Sequence, residues 1–299
     1  MIVRVRVPAT SANLGPGFDT LGLALTLYNE LTLAPADAVT VVVRGEGQGR
    51  LPATDANVVA RAARALFEAA GRRFTGVAIE CVNRIPLSRG LGSSAAAWLG
   101  GMLGANALAG TPLDRAALLS LAARAEGHPD NVAAALHGGV TVACETPTGV
   151  VAVAVPAPDN LRWVALIPEV TSTTAEARAV LPPTVPRADA VFNVQRASLL
   201  LASLQAKRAD LLHAAMDDRL HQPYRVKLFP WMPAVVAAAR EAGALGCVLS
   251  GAGPSLLAAV AENPEGVGRA MTAALAAAGV RGQARALDVD TTGAVVEIG

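Results

Sequence analysis

The chain has 299 residues, 53% of them hydrophobic and 16% charged. That composition excludes disorder and allows two domains with cores of their own. A net charge of +1 and 3% aromatic residues, with no basic run, exclude a nucleic-acid groove or an acidic membrane surface as the partner. Cys81, Cys144 and Cys247 each lie in an apolar, strand-like run and read as buried, reduced thiols of a cytoplasmic protein. No CxxC pair or histidine cluster suggests zinc.

Val3, Val5 and Val7 alternate with Arg4 and Arg6, which predicts a half-buried opening strand rather than a leader. PATSANLGPGFDT (8–20) predicts a polar loop carrying Asn13 and Asp19. On its residues alone, a binding loop and a plain turn stand equal. Residues 39–44 and 76–82 predict strands. Between them Thr54 or Asp55 caps a helix over about 57–70, stopped by Gly71.

PLSRGLGSSAAA (86–97) follows. Gly90 and Gly92 bracket Leu91, Ser93 and Ser94 are good N-caps, and a helix is expected from Ala95. A glycine turn feeding a helix mouth gathers unpaired N–H groups at the positive end of a helix dipole, a setting suited to phosphate. The nucleotide motif that uses a lysine is excluded. Only Lys207 and Lys227 occur, and neither is near a glycine turn. The dinucleotide fingerprint lacks its distant acid. Residues 90–113 carry no charge but are too rich in Gly, Ala and polar residues to span a membrane. Gly100, Gly101 and Gly104 each cost about 1 kcal/mol inside a helix, so this helix is expected to be deeply buried in close backbone contact.

Residues 113–125 predict a helix, broken at EGHPDN (126–131) and resumed over 132–137. Strands over 140–144 and 150–155 form a hairpin, and 156–160 is the expected domain junction. Beyond it come a strand at 163–167, helices over 192–204, 209–216, 233–242 and 264–278, and strands at 247–249 and 256–260 flanking SGAGPS (250–255). Residues 284–289 and 294–298 are expected to finish that second sheet. Two α+β domains, 1–157 and 158–299, result.

Phosphoryl transfer needs a phosphate cradle, a divalent cation and positioned acceptor contacts. Glu126 is the candidate Mg²⁺ ligand, joined by a hydroxyl of Ser93 or Ser94. Asp130 is a candidate base. A plain polar turn is the alternative for the whole segment. His128 is suited to orienting a carboxylate, although a histidine beside a proline turn is more often structural. Arg178 and Arg225 are suited to bidentate carboxylate binding, with a solvated arginine the ordinary alternative. His137, His213 and His221 read as surface or packing residues.

In order along the chain, PATSANLGPGFD (8–19), PLSRGLGSSAA (86–96), EGHPDNVAAALHGG (126–139) and SGAGPS (250–255) together resemble the GHMP kinase superfamily over essentially the full length. The SANLGPGFD form resembles the members that phosphorylate homoserine. The resemblance implies an α+β, two-domain fold. Its N-terminal domain would be ribosomal-S5-domain-2-like, with a left-handed β-α-β crossover opposite to the general rule. Its C-terminal domain would be ferredoxin-like, with the active site in the cleft between the two.

By the same resemblance ATP would lie along Pro86, Leu87, Ser88, Arg89, Gly90, Leu91, Gly92, Ser93, Ser94, Ala95 and Ala96, with adenine near Asn57. Gly251 and Gly253 would close the phosphate side. Mg²⁺ would sit between Glu126 and Ser93. L-Homoserine would meet Asn13, Asp19, His128, Asn131, Thr174, Arg178 and Arg225, with Asp19 facing its amino group and the two arginines its carboxylate. The resemblance further implies a step of threonine biosynthesis and a homodimer. The alternatives are another small-molecule kinase of the superfamily, acting on mevalonate, shikimate or a sugar, or a catalytically silent nucleotide-binding regulator.

Overall fold

The alternating valines do open a strand, but it runs past the alternation. In the computed structural model, which describes residues 1–156 and 160–299, β1 spans Val3–Ala12 and is wholly buried from Val7 onward. The segment PATSA, expected in a loop, is thus strand. Pro8 stands where the register slips between Pro8 and Ala9, and an irregularity of this kind is where a strand tolerates proline. Thr10 and Ser11 are tolerated because distant side chains satisfy them. Thr10 Oγ1 donates to Asn131 Oδ1 at 2.8 Å, and Ser11 Oγ lies 2.8 Å from Ser250 Oγ. β2, Leu21–Pro35, is likewise longer than its apolar run because it pairs with β1 along its length.

β3 (Thr40–Gly45) and β4 (Val77–Asn83) are parallel neighbours, so the helix between them, α1 (Val58–Ala69), is a β-α-β crossover. Its cap is Asn57 rather than Thr54 or Asp55, with Oδ1 accepting from the Val59 amide at 2.9 Å. α2, Ser93–Leu108, lies against β1, β2 and α1. The expected close approach is real. A Cβ on Gly100 or Gly104 would run into Leu31 or Leu33, and one on Gly101 into the Val59 carbonyl. No described helix is long and apolar enough to cross a membrane. α3 (Arg115–Glu126), α4 (Asp130–His137) and the hairpin β5 (Val140–Thr146) and β6 (Gly149–Val155) complete this unit. The expected boundary between 157 and 158 lies outside the described residues.

The second unit begins with β7 (Arg162–Pro168). Helices α5 (Thr174–Ala179), α6 (Arg187–Gln205), α7 (Leu212–Ala215), α8 (Gln222–Arg225) and α9 (Met232–Glu241) follow, with a 3₁₀ turn at Ala209–Leu211. Then come β8 (Gly246–Leu249), β9 (Leu256–Val260), α10 (Pro264–Ala277) and β10 (Gly282–Leu287). The sheet order β10-β7-β9-β8 is antiparallel throughout, the interleaved β-α-β arrangement of a ferredoxin-like domain.

The last strand, β11 (Val295–Ile298), does not finish this sheet as expected. It crosses back to pair with β1, Val3 opposite Ile298. Asp290 redirects the chain. Its Oδ1 accepts from the Thr292 and Gly293 amides at 3.0 and 2.6 Å, while its own amide donates to Ala24 in β2. The apolar core of the first unit continues into Trp163, Leu200, Leu212, Val248 and Leu257, so packed side chains join the two units.

The cysteines divide differently from expectation. Cys81 and Cys247 are buried, and burial pushes both thiols up to about 12. Cys144 is exposed, at an outward position of β5. A thiol reagent is therefore expected to modify Cys144 in the folded protein, and Cys81 and Cys247 only after denaturation. Peptide mapping of the labelled chain checks this, and native labelling of Cys81 or Cys247 contradicts it.

Candidate active site

Four consecutive carbonyls of the glycine loop are tied down from outside. Ser88 O accepts from the Ser172 amide at 3.3 Å, Arg89 O from the Ser255 amide at 3.2 Å and Leu91 O from the Thr10 amide at 3.1 Å. Gly90 O accepts from the Ser250 hydroxyl at 2.6 Å. A trans peptide points its C=O and the following N–H in opposite directions. The amides of Arg89, Gly90, Leu91 and Gly92 therefore face away from those partners. Among the described residues, no amide from Arg89 to Ala95 donates to a protein acceptor. Ala96, bonded to Gly92 O, is the first that does. Free amides run without a break from the loop into the first turn of α2.

Glycine is needed at both bracketing positions. Gly90 and Gly92 have φ of +72° and +70°. A Cβ on the first would collide with the Ser250 carbonyl and on the second with the Thr10 hydroxyl. The cap of α2 is Gly92 itself, without a side-chain bond, so the expected serine caps are not used. Ser93 and Ser94 open the helix instead, and their hydroxyls are available for other work.

Ser94 Oγ donates to Glu126 Oε2 at 2.7 Å. The pairing expected of Ser93 is made by Ser94, while Ser93 lines the same cleft. Glu126 is the last residue of α3, which Gly127 ends at φ +94°. Burial raises the Glu126 carboxyl, opposed by the Ser94 hydrogen bond and the charge of His128. Asp130 Oδ1 lies 2.8 Å from His128 Nδ1, and accepts from the Asn131 amide at 2.6 Å and from Asn131 Nδ2 at 3.4 Å. Burial works against a charged His128, but Asp130, Glu126 and Asp19 outweigh it and its pKa is raised.

Arg225 stands on the opposite part of the lining and is only 2% exposed. Its Nε donates to Ala177 O at 3.2 Å and its Nη1 to Gly251 O at 2.9 Å and to His221 Nδ1 at 3.1 Å. Among the described residues its Nη2 donates to nothing in the protein, and the side chain forms no ion pair. Burial, with the Arg178 charge, pulls its pKa down to about 10. Arg178 Nη2 donates to Asp19 Oδ1 at 2.7 Å. Both guanidinium carbons lie 5.5 Å from the centre of the Phe18 ring.

The loop carrying Phe18 is held in an uncommon shape. Asn13, Leu14 and Asp19 all have positive φ, and Asn13 Oδ1 accepts the Asp19 amide at 3.0 Å. Asn13 Nδ2 in turn donates to Gly251 O at 3.0 Å.

One cleft thus brings together Asn13, Asp19, Pro86, Ser88 to Ser94, Glu126, His128, Asp130, Asn131, Thr174, Arg178, Arg225, Gly251 and Gly253. Ala95 and Ala96 lie buried beneath it, and Leu87 faces an adjoining pocket with Glu46 and Arg50. Asn57 does not line the cleft. Both ends of its amide are engaged locally, Nδ2 by Pro52 O at 2.8 Å. Phe18, Thr10, Ser250 and His221 were not picked out from the sequence. For His221 a signal existed, because four residues separate it from Arg225, one helical turn.

The chain is similar to known proteins along nearly its whole length. The sequence profile of the GHMP kinases N terminal domain matches residues 57–139, and that of the GHMP kinases C terminal domain matches 200–277. A homoserine kinase of Moorella thermoacetica is 47% identical over 98% of this chain and 99% of its own. One of Desulfitobacterium hafniense is 43% identical over 99% and 100%. The crystal structure of homoserine kinase from Cytophaga hutchinsonii superposes with a TM-score of 0.88 at 32% identity, covering 99% of this chain and 97% of that one. Mevalonate kinase of L. major shares the fold, with a TM-score of 0.65 at 15% identity. The chain belongs to the GHMP kinase family, on its homoserine kinase branch.

Proposed function

We propose that this enzyme transfers the γ-phosphoryl group of ATP to the side-chain hydroxyl of L-homoserine, a step toward threonine in the cytoplasm. One observation carries the substrate: a buried guanidinium, Arg225, that has no carboxylate partner among the described residues yet keeps Nη2 open in the cleft that holds the free amides. A buried cation of this kind calls for an anion. A planar fork is matched to a carboxylate. Beside it, Asp19 supplies the negative charge that an α-ammonium group needs, and Arg178 a second donor to the carboxylate. An amino acid has both charges; mevalonate has only the carboxylate, and a sugar has neither.

The amides from Arg89 to Ala95 supply fixed N–H groups and a helix dipole for the triphosphate, in place of a lysine. The donor set near them fits Mg²⁺, a cation held by one or two carboxylates together with phosphate oxygens and water. Glu126 and Ser94 would hold it, with Ser93 adjacent. Bound there, Mg²⁺ would offset negative charge on the phosphate oxygens. Asp130 serves three donors through one oxygen, so its proposed work is to fix His128 and Asn131 against the substrate. No base is required early, because a loose phosphoryl transition state leaves the acceptor proton in place until late.

ADP release measured with homoserine, mevalonate, galactose and shikimate tests the substrate. Homoserine alone is expected to be used efficiently, and preference for another acceptor would overturn the assignment. Glu126→Gln is expected to lower kcat about a hundredfold, with a much smaller change in nucleotide affinity. Unchanged turnover would mean that the cation is held elsewhere.

A further inference from the structure

Resting on the reading of Arg225 as the carboxylate-binding side chain, we propose that His221 is a positioning residue for homoserine. Its neutral imidazole, protonated on Nε2, aims the Arg225 guanidinium at the substrate, and its protonation releases that hold.

Two contacts fix the same tautomer independently. His221 Nε2 lies 2.8 Å from the carbonyl oxygen of Gly15, which can only accept, so Nε2 carries the proton. His221 Nδ1 lies 3.1 Å from Arg225 Nη1, which can only donate, so Nδ1 offers its lone pair. The ring is fully buried and stacks on Phe18, with centroids 5.2 Å apart and planes at 21°. Phe18 is also the ring next to the Arg225 and Arg178 guanidinium groups. Arg225 therefore has its Nε and both Nη1 hydrogens engaged by Ala177 O, Gly251 O and His221, which leaves Nη2 for a ligand. Without the imidazole acceptor, Nη1 is held on one side only and two bonds instead of three set the angle of the fork.

The charged surroundings give the pH sense. Asp218 lies 3.5 Å from His221 Nε2, but its oxygens already accept four donors: the amides of Leu220, His221 and Gln222, and Asn193 Nδ2. Arg225 faces Nδ1 from α8. Asp19, from the loop carrying Phe18, acts on both His221 and Arg225, while Arg178 from α5 and Asp130 from α4 act on Arg225. Burial dominates and, with Arg225, holds the His221 pKa below its ordinary value against the pull of Asp218, Gly15 and Asp19. The ring is thus neutral at neutral pH. Protonation in acid would set an N–H against an N–H and a positive charge against a positive charge, breaking the contact that positions Arg225.

The test is steady-state kinetics from about pH 5 to 8, a range spanning the ordinary histidine pKa, on the wild type and the variants His221→Phe, His221→Asn and Arg225→Leu. The phenylalanine variant keeps the stacked ring and loses the acceptor. Its homoserine KM is expected to rise about ten- to a hundredfold at neutral pH, the weight of one hydrogen bond to a charged group, with the ATP KM unmoved. Asparagine restores an oxygen near the place of Nδ1 without titrating there. It is expected to recover most of that loss and to lack the acid-side rise in homoserine KM that the wild type shows. Adding His221→Phe to Arg225→Leu is expected to cause little further loss, because the two act through one contact.

A wild-type homoserine KM in His221→Phe would overturn the proposal, as would equal rises in both KM values or a wild-type acid limb in His221→Asn. If the phenylalanine variant does not fold, the asparagine pH profile still decides. If Arg225→Leu itself leaves the homoserine KM unchanged, it is the underlying substrate reading that falls. If it raises the KM while His221→Phe does not, the positioning role alone falls.

Discussion

Arg225→Leu is expected to raise the homoserine KM by about two to three orders of magnitude, the loss of a charge-assisted, forked contact with a carboxylate. The ATP KM should stay near its wild-type value, because none of the hydrogen bonds of the Arg225 side chain among the described residues goes to the glycine loop at 86–97. Among the described residues the side chain bonds only Ala177, Gly251 and His221. Stability need not fall in proportion. Leucine removes a buried cation without an ion pair, but it also leaves the Ala177 and Gly251 carbonyls short of a donor, and these effects oppose each other. Arg225→Lys is expected to recover little, because a single ammonium cannot hold two backbone carbonyls, an imidazole and a carboxylate at once. Separate titrations of the two substrates check this. A parallel rise in both KM values would mean that Arg225 supports the cleft generally and does not read the carboxylate.

The second large effect belongs to Gly92→Ala. Two costs fall on one position. A non-glycine residue at φ +70° loses about 1–2 kcal/mol from backbone strain. The new Cβ would also collide with Thr10 Oγ1, the hydroxyl that donates to Asn131. The loop must move away from Thr10, and about 1 Å of displacement in a positioned reactant lowers turnover about a hundredfold. The expected result is a fall of that size in kcat, accompanied by weaker ATP binding. Gly110→Ala separates strain from site. Gly110 has a similar φ of +76° with open space around its missing Cβ, outside the cleft. It should lose about 1–2 kcal/mol of stability and no activity. Equal activity losses in the two variants would contradict a special role for Gly92.

The glycine loop and the open helix mouth beside it were legible in the sequence because they are local. Gly90, Gly92, Ser93 and Ser94 are contiguous, and the glycines within α2 announced its close packing before any contact was known. The two-unit fold and the candidate residues Glu126, His128, Asp130, Arg178 and Arg225 were open to the eye one segment at a time, and four distant motifs read together as a family resemblance joined them into one cleft. The features that stayed hidden depend on partners far along the chain. Thr10 and Ser11 look like loop residues until Asn131 and Ser250 satisfy them. Residues 295–298 look like the edge of the nearest sheet until the turn at Asp290 returns them to β1. That Asn57 caps α1 and ties back to Pro52 is not visible in the sequence, where Thr54 and Asp55 are equally good caps. Ser94 could not be separated from Ser93 without knowing which hydroxyl reaches Glu126. His221 looked inert because its significance lies in the two atoms that fix its tautomer, Gly15 O and Arg225 Nη1.

A crystal structure with a non-hydrolysable ATP analogue, Mg²⁺ and L-homoserine would test the account most directly. It should show phosphate oxygens accepting from the amides between Arg89 and Ala95, and the homoserine carboxylate on Arg225 Nη2. A triphosphate bound in another crevice, or a homoserine molecule whose carboxylate lies away from Arg225, would contradict it.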